Sequence, residues 1–426
     1  MYNKKDFLLL YFLFPFYLAP IYLFQKILYY TLVLYSLYII IIKIRKASLP
    51  KKDTNYLLCF FIMFSLLICL TFVIPTLYET YDNSYFSRLI DYFIRFLVIS
   101  IACLLCNDVK DFFITFSKAT SLYVLITTVL LIPPIRNWYT AMLSNTGDSR
   151  AHAKFLLSQG LLYYTRFGLQ GFSGFEHTFR CSLAFQFLIY LLLENKNKKD
   201  RKQLYYLLTL NFLGCCYYGR IGIISCFMTL IIYTLYLIVI RKQYKVILYI
   251  ILFGGICFFV FLAMINFIKK VPYLSWMFEP FINFVEKGKL SSASSDGLKT
   301  MYIKISQDTF LFGDGYYQPK GSYYRGTDVG FLRPLLFWGI WGSIIYYSCF
   351  LIILIPIYNY LIKYNKKTAG FFVLILLLQN LLYELKGEIN LAFINILLGV
   401  DYLLIYKNCT RIKFSQIIKG LKCKNI

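Results

Sequence analysis

Apolar runs close to twenty residues long, separated by short basic links, constrain this chain more than any other feature of its sequence. About twenty residues of α-helix span roughly 30 Å, the thickness of a bilayer's hydrocarbon core. Such runs recur throughout: Phe7 to Phe24, Ile27 to Ile42, Tyr56 to Leu77, Leu89 to Cys106, Thr120 to Ile135, Thr178 to Leu193, Leu204 to Tyr218, Ile221 to Ile240, Val246 to Ile265, Phe337 to Ile362, Ala369 to Leu385 and Ile389 to Tyr406. They predict an all-α, polytopic integral membrane protein with about twelve transmembrane helices, forming a single membrane-embedded domain over residues 1–426. A 59% hydrophobic content with only 15% charged residues excludes an ordinary soluble protein. A cleavable signal peptide is not expected, because Phe7 to Phe24 contains Pro15 and Pro20, lacks a small-residue cleavage site and leads straight into another apolar run.

The 45 basic against 20 acidic residues would suggest nucleic acid in a soluble domain. Here the Lys and Arg collect in alternate links, such as Lys43 to Lys52, Glu194 to Gln203, Arg241 to Lys245 and Lys363 to Lys367. The positive-inside rule places those links, and both termini, in the cytoplasm, so no nucleic-acid partner is expected. Two long connections, residues 136–177 and 266–329, then fall on the outer side. Within the second, KGKLSSASSDG reads as flexible and Leu298 to Phe310 as a surface helix. The 12 Cys sit mostly inside apolar runs, which gives no disulfide framework, and the Cys103/Cys106 pair reads as helix packing.

Polar chemistry concentrates outside. Leu311 to Arg333, LFGDGYYQPKGSYYRGTDVGFLR, is glycine-rich and carries two Asp and two Arg between oily segments. Two further arginine sites accompany it: TRFGLQGFSGFEHTFR, with Arg166 and Arg180, and the YYGRIG turn, with Arg220. The positive-inside rule predicts few outer cations, so clustered arginines ask for another reason. Arg forks suit phosphate, and glycine-rich backbone lets N–H groups approach the same anion. Arg166, Arg180, Arg220, Arg325 and Arg333 are therefore candidate ligands of a lipid-linked phosphate, with Asp314 and Tyr324 beside them; snorkelling to ordinary phospholipid headgroups is the plainer role for any one of them. Glu176, His177 and Asp328 are the candidates for a general base that deprotonates a sugar hydroxyl, while each acid has the simpler role of pairing with a nearby Arg. Asp91 and Arg95, at i and i+4, are expected to pair with each other. No Walker A loop, metal-binding DxD, HExxH or nucleophile elbow is present, so no metal or cofactor is expected. With the polar groups at one face and no internal repeat, surface chemistry is favoured over translocation.

The layout, "RFGLQGFSG" before a membrane helix, the "GRIG" turn, and "FGDGYY", "GTDVGFLR" and "GIWG" leading into a late helix together resemble the O-antigen polymerase family, often called Wzy, and the related O-antigen ligases. The resemblance implies a membrane glycosyltransferase of the bacterial cytoplasmic membrane that uses undecaprenyl-pyrophosphate-linked oligosaccharide at the outer face. It implies a flippase and a chain-length regulator as pathway partners, and phosphate- or glycan-binding roles for Arg166, Arg220, Arg325 and Arg333. Where many relatives carry Pro-Asn after the glycines, this chain carries Glu176 and His177, which leaves the base open between them and Asp328. Ligase and flippase functions stay open as alternatives.

Overall fold

A computed structural model describes residues 2–16, 18, 21–46, 51–142, 167–172, 175–195 and 197–404. Those residues are helical almost throughout. The helices are α1 (Lys4–Leu13), α2 (Tyr22–Lys46), α3 (Lys51–Leu77), α4 (Ser84–Leu104), α5 (Val109–Leu130), α6 (Pro133–Met142), α7 (Phe175–Glu194), α8 (Lys198–Tyr218), α9 (Arg220–Val239), α10 (Lys245–Lys270), α11 (Pro272–Lys287), α12 (Ala293–Thr300), α13 (Gln307–Phe312), α14 (Leu332–Leu361), α15 (Lys366–Glu384) and α16 (Asn390–Leu404). One small hairpin pairs Phe167 with Phe172 and Gly168 with Gly171. Among the described residues, five helices are long and apolar enough to cross a membrane: Asn55–Leu77, α5, α9, α14 and α15.

The bundle is organised around α7, which is buried from His177 to Leu192 on every side. A helix that is apolar all round belongs in the centre, and α5, α8, α9 and α15 surround it. Buried polar groups are paired between helices: Asn211 of α8 donates to Ser121 Oγ and Ser117 O of α5 at 2.8 and 3.2 Å, and Gln379 of α15 donates to Ser182 of α7 at 2.6 Å. In a setting without water, such pairing removes the cost of stranding polar groups.

Three expectations need correction. The first apolar run, Phe7 to Phe24, does not form one helix: α1 stops at Leu13, ten residues long, and α2 starts at Tyr22. Pro15 is the reason, since the residue before a proline is driven out of the α region, and Phe14 has φ −128° and ψ 61°. At about 1.5 Å per residue α1 reaches only half-way across a bilayer. The stretch Asn107 to Lys118, expected as an inner link between the runs Leu89 to Cys106 and Thr120 to Ile135, is largely helix, because Asp108 caps α5 by accepting from Asp111 N at 2.8 Å, and the fully buried Phe112, Phe113 and Phe116 extend the apolar face. The segment Leu298 to Phe310 is not one surface helix. A capping box of Ser292 and Ser295 starts α12 inside the serine-rich stretch, and Ser306 starts α13 by accepting from Thr309 N at 3.2 Å. Between them Met301, Ile303 and Ile305 alternate onto a small apolar cluster with Val329, Leu332 and Leu335, a strand-like period of two.

Helix α14 is broken near its start at Gly339, where φ is 68° and ψ −170°. The FGDG loop fills the break: Asp314 N donates to Leu336 O at 2.6 Å and Gly315 N to Phe337 O at 3.3 Å. A Cβ on Gly313 would stand 2.4 Å from Phe337 O, and one on Gly339 would stand 2.4 Å from Leu311 O. Only glycine lets the loop and the broken helix approach this closely.

Candidate functional site

The site is built on one face of α4. Tyr85, Arg88, Tyr92 and Arg95 recur at spacings of three and four residues, so they line a single helix face. Their carboxylate partners come from elsewhere in the chain.

Glu388, in the turn between α15 and α16, is fully buried at its side chain. Its oxygens accept from Tyr85 Oη at 2.6 Å, Tyr317 Oη at 2.6 Å and Tyr346 Oη at 2.8 Å. Two guanidiniums flank it, Arg88 Nε at 3.4 Å and Arg333 Nη1 at 3.7 Å. Burial by itself raises this carboxyl's pKa, but Arg88, Arg333 and the tyrosine hydroxyls more than offset it, and the net direction is down. One residue after this turn, α16 begins on a second acid: Glu384 accepts from Ile389 N at 2.6 Å and Asn390 N at 2.8 Å.

Arg333 is only 4% exposed and lies between two rings, 4.0 Å from the Tyr323 centroid and 4.2 Å from that of Tyr317. Its Nε and Nη2 are buried with no hydrogen-bond partner, and so is Nε of Arg88. Asp328 stands 3.8 Å from Arg333 Nη1 and is 46% exposed, so it forms the open side of the cluster. Burial pushes the Asp328 carboxyl above its ordinary value, against the opposing pull of Arg333, Arg88 and Lys386.

The opening loop is braced by two other aspartates. Asp82 accepts from Tyr317 N at 2.8 Å and Gln318 N at 3.0 Å; burial raises its pKa, yet these bonds and those from Ser84 bring it below the usual value. Asp314 accepts from Thr309 Oγ1 at 2.7 Å, Tyr324 Oη at 3.1 Å and Arg325 Nη2 at 2.9 Å. Arg325 sits at φ 52°, left-handed backbone that points its fork back at Asp314.

A second cluster lies further along α4. Glu176, at the start of α7, accepts from Tyr92 Oη at 2.6 Å, Arg95 Nη1 at 3.1 Å and Arg180 Nη2 at 3.0 Å, and Asp91 holds the other side of Arg95 at 2.7 Å. Arg180 also donates to Leu13 O, so it closes the C-terminal end of the half-length helix α1, where a cation is favoured. The Tyr92 ring joins the two clusters, lying under Arg88 at 5.5 Å and Arg95 at 5.0 Å.

The sequence candidates thus separate. Arg333 and Asp328 meet at the buried tyrosine-lined cluster, whereas Asp314, Tyr324 and Arg325 form a loop brace. Glu176 and Arg180 are partners in the second cluster, and the expected Asp91–Arg95 pair is present. His177 is fully buried among Phe14, Tyr123 and Tyr218, 5.1 to 5.4 Å between centroids, with neither ring nitrogen hydrogen-bonded. Arg220 is engaged by Glu279 of α11 at 2.5 Å, with its guanidinium 5.1 Å from the Trp276 ring centroid. Arg166 lies outside the described residues.

Sequence reasoning missed Arg88, Glu388 and the buried tyrosines. One signal was available, because the acids of YELKGE recur at i and i+4 between two apolar runs, where unpaired charge is costly. Among the described residues no group of three or more His, Cys, Asp or Glu is placed to hold a metal ion. What the cluster offers is guanidinium N–H groups without acceptors, aromatic walls and one carboxylate at the opening. That set suits an anion with a polyhydroxylated group attached.

No family model, curated protein or solved structure matches this chain.

Proposed function

We propose that this chain is a polysaccharide polymerase, a membrane glycosyltransferase that joins oligosaccharide repeat units carried on undecaprenyl pyrophosphate at the outer face of the bacterial cytoplasmic membrane. In this reading the chain crosses the membrane about twelve times, its termini are cytoplasmic, and residues 136–177 and 266–329 face outward.

One observation carries the proposal: Nε and Nη2 of Arg333 are buried without acceptors, beside the Arg88 guanidinium, whose Nε stands 3.4 Å from Glu388. Buried donors are nearly always satisfied, so two on one guanidinium ask for a ligand with more than one acceptor oxygen. A pyrophosphate has them, and it is a leaving group that charge-assisted donors stabilise as its bond to the anomeric carbon breaks. Glu388 orients both guanidiniums, through Nε of Arg88 and Nη1 of Arg333, and leaves Nε and Nη2 of Arg333 unoccupied. Asp328 is the base in this reading, because it is open on one side and its raised pKa favours proton uptake from an attacking sugar hydroxyl. Glu176 is held by two arginines and a tyrosine, an arrangement suited to anchoring α1 and α4 rather than to proton transfer.

The proposal is tested in cells lacking the protein. Single repeat units should accumulate on the lipid carrier at the outer leaflet, since export continues while joining stops. Accumulation at the inner leaflet would indicate a flippase, and full-length polymer retained on its carrier would indicate a ligase.

A further inference from the structure

The Arg333 guanidinium is enclosed by two rings of unlike character. Tyr317 is a fixed wall: it is 3% exposed, its hydroxyl donates to Glu388 at 2.6 Å, its N–H donates to Asp82 at 2.8 Å, and its ring stacks on Tyr85 at 3.9 Å and 14°. Tyr323 is a loose wall. It is 38% exposed, and among the described residues its hydroxyl has no hydrogen-bond partner, so its ring is held by the Arg333 guanidinium 4.0 Å from its centroid and by the backbone that carries it. That backbone is a surface segment, in which Gly321, Ser322, Arg325 and Gly326 are exposed as well. Beyond local turns, one backbone bond holds it among the described residues, Tyr324 N to Tyr317 O at 3.2 Å. Its side chains are latched to Asp314, which accepts from Tyr324 Oη at 3.1 Å and Arg325 Nη2 at 2.9 Å and is itself anchored in the break of α14 through its N–H to Leu336 O. Gly321 and Gly326 end the segment at φ 80° and 65°, with nothing within 4 Å of a Cβ at either.

We propose that residues 321–326 are a lid, with Tyr323 as the side chain that covers Arg333, Gly321 and Gly326 as its hinges and the Asp314–Arg325 pair as its latch. The inference rests on the reading above, that Arg333 binds an anionic group, and it adds how that group reaches donors that are buried when the lid is closed. Arg325 is 36% exposed, and an ion pair so open to solvent contributes little, so the latch releases readily. Opening lifts Tyr323 from the guanidinium and uncovers Nε and Nη2, while Tyr317 and Glu388 keep the guanidinium in place. Closing over a bound anion keeps bulk water from the bond that breaks beside it. A transferase has a use for such a lid, because water otherwise competes with the attacking hydroxyl.

The test measures how fast phenylglyoxal, which adds to accessible guanidiniums, modifies each Arg of the full chain in phosphatidylcholine nanodiscs, resolved by peptide mass spectrometry. In the unaltered protein Arg333 should react far more slowly than the exposed Arg325, at a rate set by opening of the lid. Tyr323→Ala removes the cover and should speed modification of Arg333 roughly tenfold, whereas Tyr323→Phe keeps the ring and should leave the rate unchanged. Arg325→Ala frees the latch and should speed it about two- to fivefold, the effect of one exposed ion pair. Arg180, also buried but in the second cluster, is the internal reference and should keep its rate throughout. Inorganic pyrophosphate should protect Arg333 in Tyr323→Ala. An Arg333 that reacts as fast as Arg325 in the unaltered protein, a rate that Tyr323→Ala does not change, or a rise at Arg180 alongside Arg333 would each overturn the lid. Protection by pyrophosphate together with rates that neither variant changes would overturn the lid and leave the anion-binding reading standing. Rates in the expected order without protection by pyrophosphate would uphold the lid and count against that reading.

Discussion

The Arg333 guanidinium lies 3.7 Å from the Glu388 carboxylate, yet two of its three nitrogens are buried without an acceptor. Glu388 supplies the compensating charge, and the planar fork keeps donors in reserve.

Arg333→Lys should impair polymer formation although it keeps the charge. An ammonium cannot present two parallel donors to adjacent phosphate oxygens. Losing one charge-assisted hydrogen bond costs roughly 1.5–3 kcal/mol, about a ten- to hundredfold loss of rate if that contact is made in the transition state. Polymer length on gels, at equal protein level in the membrane, is the measurement.

Glu388→Gln should destabilise the protein. Removing one member of a buried ion pair leaves uncompensated charge and typically costs about 3–5 kcal/mol. The pH dependence has a definite sign: because the folded pKa of Glu388 lies below the ordinary 4.5, its contribution is present above 4.5 and is lost as pH falls through the folded value. Thermal unfolding in detergent against pH should lose that acid-sensitive component in the variant.

Asp328→Asn separates activity from stability. Burial holds the Asp328 pKa above the ordinary 3.8, so ionisation costs the folded state something as pH rises through that raised value. The neutral variant should melt at the same or a slightly higher temperature at neutral pH while losing most activity. In the unaltered protein the rate should climb with pH along a limb that lies above 3.8.

Gly313→Ala and Gly339→Ala should each sharply lower the yield of folded protein, since the added methyl would meet backbone at 2.4 Å and both positions have positive φ. Gly297→Ala is the control. Nothing lies within 4 Å of its Cβ position, and inside helix α12 alanine is favoured over glycine by about 0.5–1 kcal/mol. Folded yield by fluorescence size-exclusion chromatography distinguishes the three.

Periodicity and run length made the helical architecture legible, because a bilayer accepts little else. Helix ends were less so. The stop at Leu13 depended on Pro15, and the early start of α5 on Asp108, local chemistry that hydropathy averages away. The loop from Leu311 to Arg333 was recognisable from its glycines and charges, and two of its members, Asp328 and Arg333, do meet at the site. Their partners were hidden by distance along the chain: Arg88 and Glu388 are 300 residues apart, and no local pattern pairs residues that far apart. The buried tyrosines were equally invisible in a chain with 40 of them.

The most direct measurement is reconstitution. The purified full chain in liposomes would be given a synthetic undecaprenyl-pyrophosphate-linked repeat unit, and the products resolved by mass. A ladder of joined repeat units with release of undecaprenyl pyrophosphate is expected, strongly reduced in Arg333→Lys and in Asp328→Asn. An undiminished ladder from Arg333→Lys, or none from unaltered protein that binds the lipid-linked unit, would contradict the proposed function.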